Sequence, residues 1–341
     1  MARGKASIVH QAKTALNELD KIGQAKRPLK REGKQGIHGL KTKQESLSAV
    51  QNFVKWARNE FNVKNLYQLK EDHYRAYMSF LEHGERSVGH RQNVETALRH
   101  LQKGMNLRSG KYGKEKHIFV PEKRLVNWRD KPKPTDRSYS REEYQKILEK
   151  LPPNPCDAVM LCREMGLRVR EAARVEVQYF DLQEGKLIIP FGKGGGITKG
   201  GRFREVPIPA HFRSEVERMM QGKEKHEHLV SVKRDTVRRA VNKACKEAGV
   251  KQMGRGTHGF RHAYSRERID QLFRERGIQD LASKMVERIM SNRDQGRLAN
   301  YGILSEKDKM LFEEIKQVMD QVHSEIGHGK DRWDLAEVYM R

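Results

Sequence analysis

Between residues 106 and 137 the chain holds few apolar positions and many turn-forming or basic ones, among them Lys131-Pro132-Lys133-Pro134. A stretch without a hydrophobic face has little to offer a core, so 111–137 reads as a linker between two folding units. At 341 residues the chain is long enough for a domain on each side.

On the N-terminal side the pattern is helical. Leu47, Val50, Phe53, Val54, Ala57 and Phe61 recur at spacings of three and four and form one apolar stripe. Leu66, Leu69, Tyr74, Tyr77, Phe80 and Leu81 support a second helix, and Val88, Val94, Leu98 and Leu101 a third. Residues 38–110 therefore read as a small helical bundle. Lys41, Lys43, Arg91 and Arg99 lie between the apolar positions, as a solvated face or as contacts to a polyanion. Residues 1–37 carry nine Lys or Arg against three acids and read as a basic arm, either a solvated tail or one that tracks phosphates.

The second domain, 138–341, opens at Ser140 with Glu143 three residues later, a capping box in which two side chains satisfy free N–H groups at a helix start. Pro152-Pro153 ends that helix. Strand-like runs at 187–191 and 203–208 flank a glycine-rich tip running from Gly192 to Gly201. No Lys-Ser or Lys-Thr pair follows those glycines as a nucleotide phosphate loop requires. Helical periodicity resumes at 211–221, 234–248, 260–275 and 306–325. The expected fold is mainly α with a small antiparallel β-sheet, an α+β arrangement.

The charge balance names the class of partner. Lys plus Arg number 69 and Asp plus Glu 45, a formal net charge of +24. Such an excess favours a polyanion, because each cation that neutralises a phosphate releases a condensed counterion. DNA, RNA and an anionic membrane all fit, the membrane least: no apolar run approaches the roughly 20 residues of a spanning helix. Residues 1–23 hold no apolar signal core. Cys156, Cys162 and Cys245 are odd in number and lack zinc-site spacing, which fits buried thiols in a reducing cytosol.

Cutting a phosphodiester without metal takes a nucleophile, cations for the non-bridging oxygens, a general acid for the departing oxygen and a base. Arginine suits the cationic role, since its planar fork gives two parallel hydrogen bonds and stays charged. Four segments offer these groups in order: Gly166-Leu167-Arg168-Val169-Arg170-Glu171; the hairpin with Lys199, eight residues before Pro207; His258-Gly259-Phe260-Arg261; and Gly327-His328 followed by Tyr339. Taken singly each has a bland reading, as a helix start, a flexible tip, a surface pair or a packed ring. Their joint order does not.

That order, Gly-Leu-Arg-x-x-Glu, hairpin Lys, His-x-x-Arg, Gly-His, Tyr, resembles the tyrosine recombinase family, also called the phage integrase family. The resemblance carries specific motifs over 140–341 and only a helical, basic, core-binding-like character over 38–110. It implies a two-domain clamp around duplex DNA and a metal-free, cofactor-free reaction through a 3′-phosphotyrosyl intermediate. It further implies a cytoplasmic, nucleoid-associated integrase of a mobile element, a homotetramer on its attachment sites, with an accessory DNA-bending factor as a further candidate partner. By the same resemblance Arg168 and Arg261 clamp the scissile phosphate and Glu171 orients the site. Lys199, with Lys193 as the rival, protonates the leaving oxygen. His258 serves acid–base transfer, His328 bonds the phosphate and Tyr339 attacks it. Tyr301 is the poorer nucleophile because it precedes His328, and Trp333 stands where some relatives use Trp in place of the second His.

Two departures shape the expectations. Arg261 and His328 lie 67 residues apart, longer than the family's short helical interval, so an insertion is expected within 275–320. Only Met340 and Arg341 follow Tyr339, so exchange of a helix beyond the tyrosine is not expected. A type IB topoisomerase shares the chemistry, and a non-catalytic DNA-binding protein explains the charge alone.

Overall fold

The computed structural model describes residues 6–34, 36–127, 130–192, 196–198 and 201–340. The chain forms two compact units, Met1–Lys133 and Pro134–Arg341.

Among the described residues the first unit is built from five α-helices: α1 (Ile8–Asn17), α2 (Lys26–Arg31), α3 (Leu40–Phe61), α4 (Glu71–His83) and α5 (Val88–Lys111). The expected stripe of α3 is buried at Val50, Phe53, Val54 and Ala57 against Tyr74, Tyr77, Leu98 and Leu101. Residues 1–37 are not a free arm over their described part. Ser7 caps α1 by accepting from the His10 N–H, and Ile8, Ala12, Ala15 and Leu16 face the core. Those four recur at helical spacing, and burying them offsets the cost of ordering the segment. Gly104 on α5 permits the contact, because a Cβ there would lie 2.1 Å from the Ala15 carbonyl oxygen. Leu19 and Ile37 join the same core, tied by Lys21 N–H to Ile37 O at 2.9 Å and Ile37 N–H to Leu19 O at 2.7 Å.

The expected linker is also partly core. Phe119, Val120 and Val126 are buried with the helices. Gln102 Oε1 accepts from the Phe119 and Val120 N–H groups, both at 2.7 Å, and the buried Glu95 accepts from the Leu125 N–H at 2.8 Å. Side chains of α5 thus take up the backbone donors of a segment with no ladder of its own.

The second unit opens with α6 (Arg141–Leu148) and α7 (Pro153–Glu164). Pro153 does not only end one helix; it starts the next, where a missing N–H costs nothing. Then come the four-residue α8 (Val169–Ala172) and the strands β1 (Phe180–Asp181), β2 (Lys186–Ile189) and β3 (Arg204–Pro207). The sheet is antiparallel in the order β1-β2-β3, with Leu187 opposite Val206 and Ile189 opposite Arg204. It is shorter than the sequence pattern predicts, because Pro190 lacks an N–H for the ladder. Phe191 and Phe203 stack beyond its end, ring centroids 5.6 Å apart. The remaining helices are α9 (Arg213–Met220), α10 (Arg234–Glu247), α11 (His258–Glu275), α12 (Gln279–Asp294), α13 (Glu306–Glu325) and α14 (Trp333–Met340).

Two cores fill this unit. One gathers Leu161, Leu167, Leu187, Val206, Val241, Phe260, Tyr264, Ile326 and Tyr339. The other holds Ile269, Leu272 and Phe273 of α11 with Ile289 of α12, Ile315 and Val322 of α13 and Ala336 of α14. The stretch within 275–320 is therefore helical and packs onto the second half of α11. No helix among the described residues is long and apolar enough to cross a membrane.

Candidate active site

The site is assembled at the ends of elements. After α7 the chain turns at Gly166, whose φ of +60° is left-handed and whose missing Cβ would lie 2.4 Å from the Tyr264 ring. Only glycine meets both demands. The turn aims the Gly166 carbonyl at the Arg261 Nη1, 2.6 Å away. Arg168 then caps α8, and its N–H donates to Glu171 Oε2 at 2.7 Å while its Nη1 donates to Glu171 Oε1 at 2.8 Å. Glu171 itself is buried. Burial alone would raise its pKa, but the guanidinium groups of Arg204, Arg261 and Arg168 outweigh that and hold it at about 2.

Arg261 lies one turn into α11 and is fully buried. The entry to that helix is fixed by Gly259, where a Cβ would meet the Tyr139 ring at 2.5 Å. Tyr139 carries Arg255 over its face at 4.3 Å, and Arg255 reaches Glu143 of the capping box at 2.7 Å. A capping signal at one end of the unit thus fixes the start of α11. Arg261 also donates to the Ile326 carbonyl, and its Nη2 is 3.4 Å from His328 Nε2. Burial, with Arg204 and Arg168 close by, pulls its pKa down to about 10, so it stays charged at neutral pH.

Gly327, at φ +70°, ends α13 and turns His328 inward, with the His328 N–H donating to the His323 carbonyl at 2.6 Å. Burial first, then Arg261 and Arg168, lowers the His328 pKa to about 3. Its imidazole is therefore neutral at pH 7, and in the tautomer with a bare Nε2 that atom accepts hydrogen bonds. Tyr339 Oη lies 3.4 Å from it. The Tyr339 ring is buried, 5.0 Å from the His262 ring and 6.2 Å from that of His323. Arg266 Nη1 donates to the Tyr339 carbonyl at 3.2 Å, which ties α14 to α11.

A concave pocket opens beside these groups, lined in part by Arg168, Arg170, Arg234, Arg238, His258 and Arg261; none of its described lining residues is acidic. His258 stands at its exposed rim, and loss of surrounding water with the cations of Arg261, Arg168 and Arg238 lowers its pKa. Preorganised guanidinium groups without a competing carboxylate in the lining suit a phosphodiester.

Of the sequence candidates, Arg168, Glu171, Arg261, His328 and Tyr339 are brought together, with His258 at the rim. Lys199 and Lys193 lie outside the described residues. Trp333 is elsewhere, stacked on Phe312 at 5.3 Å, and Tyr301 is exposed under Arg297. In the first unit Lys41 is exposed and 3.5 Å from Glu45, Lys43 bonds Asp20 at 2.5 Å and Arg91 pairs with Glu82. Arg99 is turned inward to the Pro121 carbonyl at 2.8 Å.

Three groups escaped the sequence reading. Arg204 is fully buried and donates to Glu171 Oε2 at 2.6 Å. Arg234 and Arg238 of α10 line the pocket. The signal for Arg204 was present: strand alternation puts it on the same face as buried Val206, and an inward charge needs a buried partner.

Comparisons with known proteins bear on the family and the fold. Residues 138–305 match the sequence model of the phage integrase family. The tyrosine recombinase XerA of Pyrococcus furiosus is 26% identical over 165 residues, 44% of this chain and 54% of that protein, so the chain spans about half the length of that curated relative. Among solved structures, a lambda integrase dimer bound to a COC′ core site matches with a TM-score of 0.55 at 15% identity, over 92% of this chain and 75% of the other. The XerH site-specific recombinase bound to a palindromic difH substrate matches with a TM-score of 0.53 at 16% identity, over 94% and 98%. At these identities the structural likeness concerns the fold, a mainly helical chain with a small antiparallel sheet. Motif order, family match and fold agree, and over residues 138–305 the chain belongs to the phage integrase family, also called the tyrosine recombinases.

Proposed function

We propose that this chain is a site-specific DNA recombinase that cuts and rejoins strands through a covalent bond between Tyr339 and a DNA 3′-phosphate. The observation that carries the reading is the convergence of Tyr339 Oη, His328 Nε2 and Arg261 Nη2, each step 3.4 Å, from three separate segments. Arg168 and Arg261 hold the non-bridging oxygens. The Tyr339 oxygen attacks phosphorus and passes its proton to neutral His328. The bond from phosphorus to the 5′ oxygen breaks, and that oxygen takes a proton from the hairpin lysine, Lys199 in preference to Lys193. His258 serves proton transfer from the rim. Strand transfer reverses these steps with a 5′ hydroxyl from a second duplex as the attacking group. No metal or cofactor enters the scheme.

The first unit supplies further DNA contacts in this reading, with exposed Lys41 a better candidate than inward-turned Arg99. In this reading the chain acts as a homotetramer on attachment sites of a mobile element, at the nucleoid, and the family resemblance is what supports it. The test uses a nicked duplex whose sequence is taken from the tightest binders of a randomised DNA pool. A denaturation-resistant protein–DNA adduct is expected, and strand exchange between two such sites. No adduct would defeat the reading. An adduct with relaxation of supercoils but without exchange would make the chain a topoisomerase instead.

A further inference from the structure

One carboxylate in this site faces three guanidinium groups. Glu171 Oε1 takes Arg168 Nη1 at 2.8 Å. Glu171 Oε2 takes the Arg168 N–H at 2.7 Å and Arg204 Nη1 at 2.6 Å. Arg261 Nη1 is 3.8 Å from that same oxygen, too far for a hydrogen bond. Arg204 is buried and does not line the pocket, so it does not meet a phosphate there. Its Nη2 reaches toward the Gly166 carbonyl at 3.5 Å, the oxygen that Arg261 also uses. A Cβ at Gly327 would sit 3.3 Å from Arg204 Cδ and 3.5 Å from Arg168 Nη1, so the turn carrying His328 rests on both arginines.

We infer that Arg204 is a positioning residue that occupies the second oxygen of Glu171 and so keeps Arg261 off that carboxylate and free for the phosphate. An arginine already paired with a carboxylate offers less to an incoming anion. With Arg204 in place, Oε2 has its cation and Arg261 stays on the Gly166 and Ile326 carbonyls. Without it, Arg261 Nη1 still faces Oε2 from 3.8 Å, and closing about 1 Å would turn that half of the phosphate clamp into an internal ion pair. The placement also ties β3 to α8, five residues after Lys199 in the chain.

This inference rests on the recombinase reading, and its test separates the two. Wild-type protein is first assayed on the nicked duplex described above; absence of an adduct there defeats the function, whatever Arg204 does. Arg204→Met is then compared with wild type on that duplex and on one with a neutral methylphosphonate at the scissile position, which asks less of the cationic clamp. On the phosphodiester the variant is expected to cleave about 10–100-fold more slowly with DNA affinity retained. On the methylphosphonate the deficit shrinks to a few-fold, which a general loss of structure would not produce. Adding Glu171→Gln to Arg204→Met removes the charge that competes for the clamp and is expected to recover part of the rate. Arg204→Lys, which keeps a point charge without the fork, should fall between wild type and Arg204→Met, and it carries the same two-substrate comparison if Arg204→Met does not fold. An equal deficit on both substrates, or a double variant no faster than the single one, would overturn the inference.

Discussion

Tyr339→Phe removes one oxygen whose described polar neighbour is His328 Nε2 at 3.4 Å and leaves the ring in its buried place beside His262. The covalent adduct should vanish while the thermal midpoint and DNA affinity stay near wild type. Adduct at wild-type level would move the nucleophile, with Tyr301 tested next. The histidines around that ring make a second expectation. Burial lowers His323 from 6.5 to about 4, and burial with His258, Arg137 and Arg261 nearby lowers His262 to about 4. Both are neutral in the fold, whereas the unfolded chain takes up protons near pH 6.5. Their stability contribution is therefore complete above that pH and lost as pH falls toward 4, at up to about 1.4 kcal/mol per pH unit for each. Urea midpoints at pH 7 and pH 5 should show the loss, and His323→Phe should reduce it; an unchanged slope would remove His323 from the account. At this scale the sequence offers candidates where chemistry fixes residue type and order, and the fold brings Arg168, Arg261 and Tyr339 to one place. For Arg204 the sequence offers only an inward strand position, because the partner of that side chain is Glu171, 33 positions away and reached only through the fold.

Helix α5 carries the sharpest expectation among the elements. In a solvated helix Gly104→Ala would stabilise by about 1 kcal/mol through helix propensity. Here the new Cβ would lie 2.1 Å from the Ala15 carbonyl oxygen and force α1 outward, so the substitution should destabilise the first unit by about 1–3 kcal/mol. Urea unfolding reads the sign directly, and a stabilised variant would mean that α1 is not seated. The helices legible in the sequence were those whose apolar stripe stands clear, such as α3 and α13. Helix α1 was hidden because Ile8, Ala12, Ala15 and Leu16 make a narrow stripe in a strongly basic stretch, and charge dominated the reading. The strap at 117–126 was hidden for another reason. Its backbone is held by Gln102 and Glu95, side chains from a distant turn of α5, and no local pattern announces such a tie.

For the whole molecule, a formal charge of +24 makes binding an ion-exchange process. Affinity for duplex DNA should fall about 10³–10⁵-fold between roughly 50 and 200 mM salt if 6–10 phosphates are contacted. A flat salt dependence would refute charge-driven binding. The two units divide at Lys133 and Pro134, inside a proline-punctuated, poorly apolar stretch that precedes a capping box. The division of the second unit into two cores was not legible in the sequence, since both draw on the same helices. Helix α14 places Tyr339 in one core and Ala336 in the other, and α11 likewise gives Phe260 to the first and Phe273 to the second. The helix bearing the proposed nucleophile is thus a splint across a joint. Ile315→Val, buried in the second core, should cost only about 0.5–1.5 kcal/mol and yet slow adduct formation more than it weakens DNA binding. Wear in a buried bearing would then be felt as lost aim at the tip.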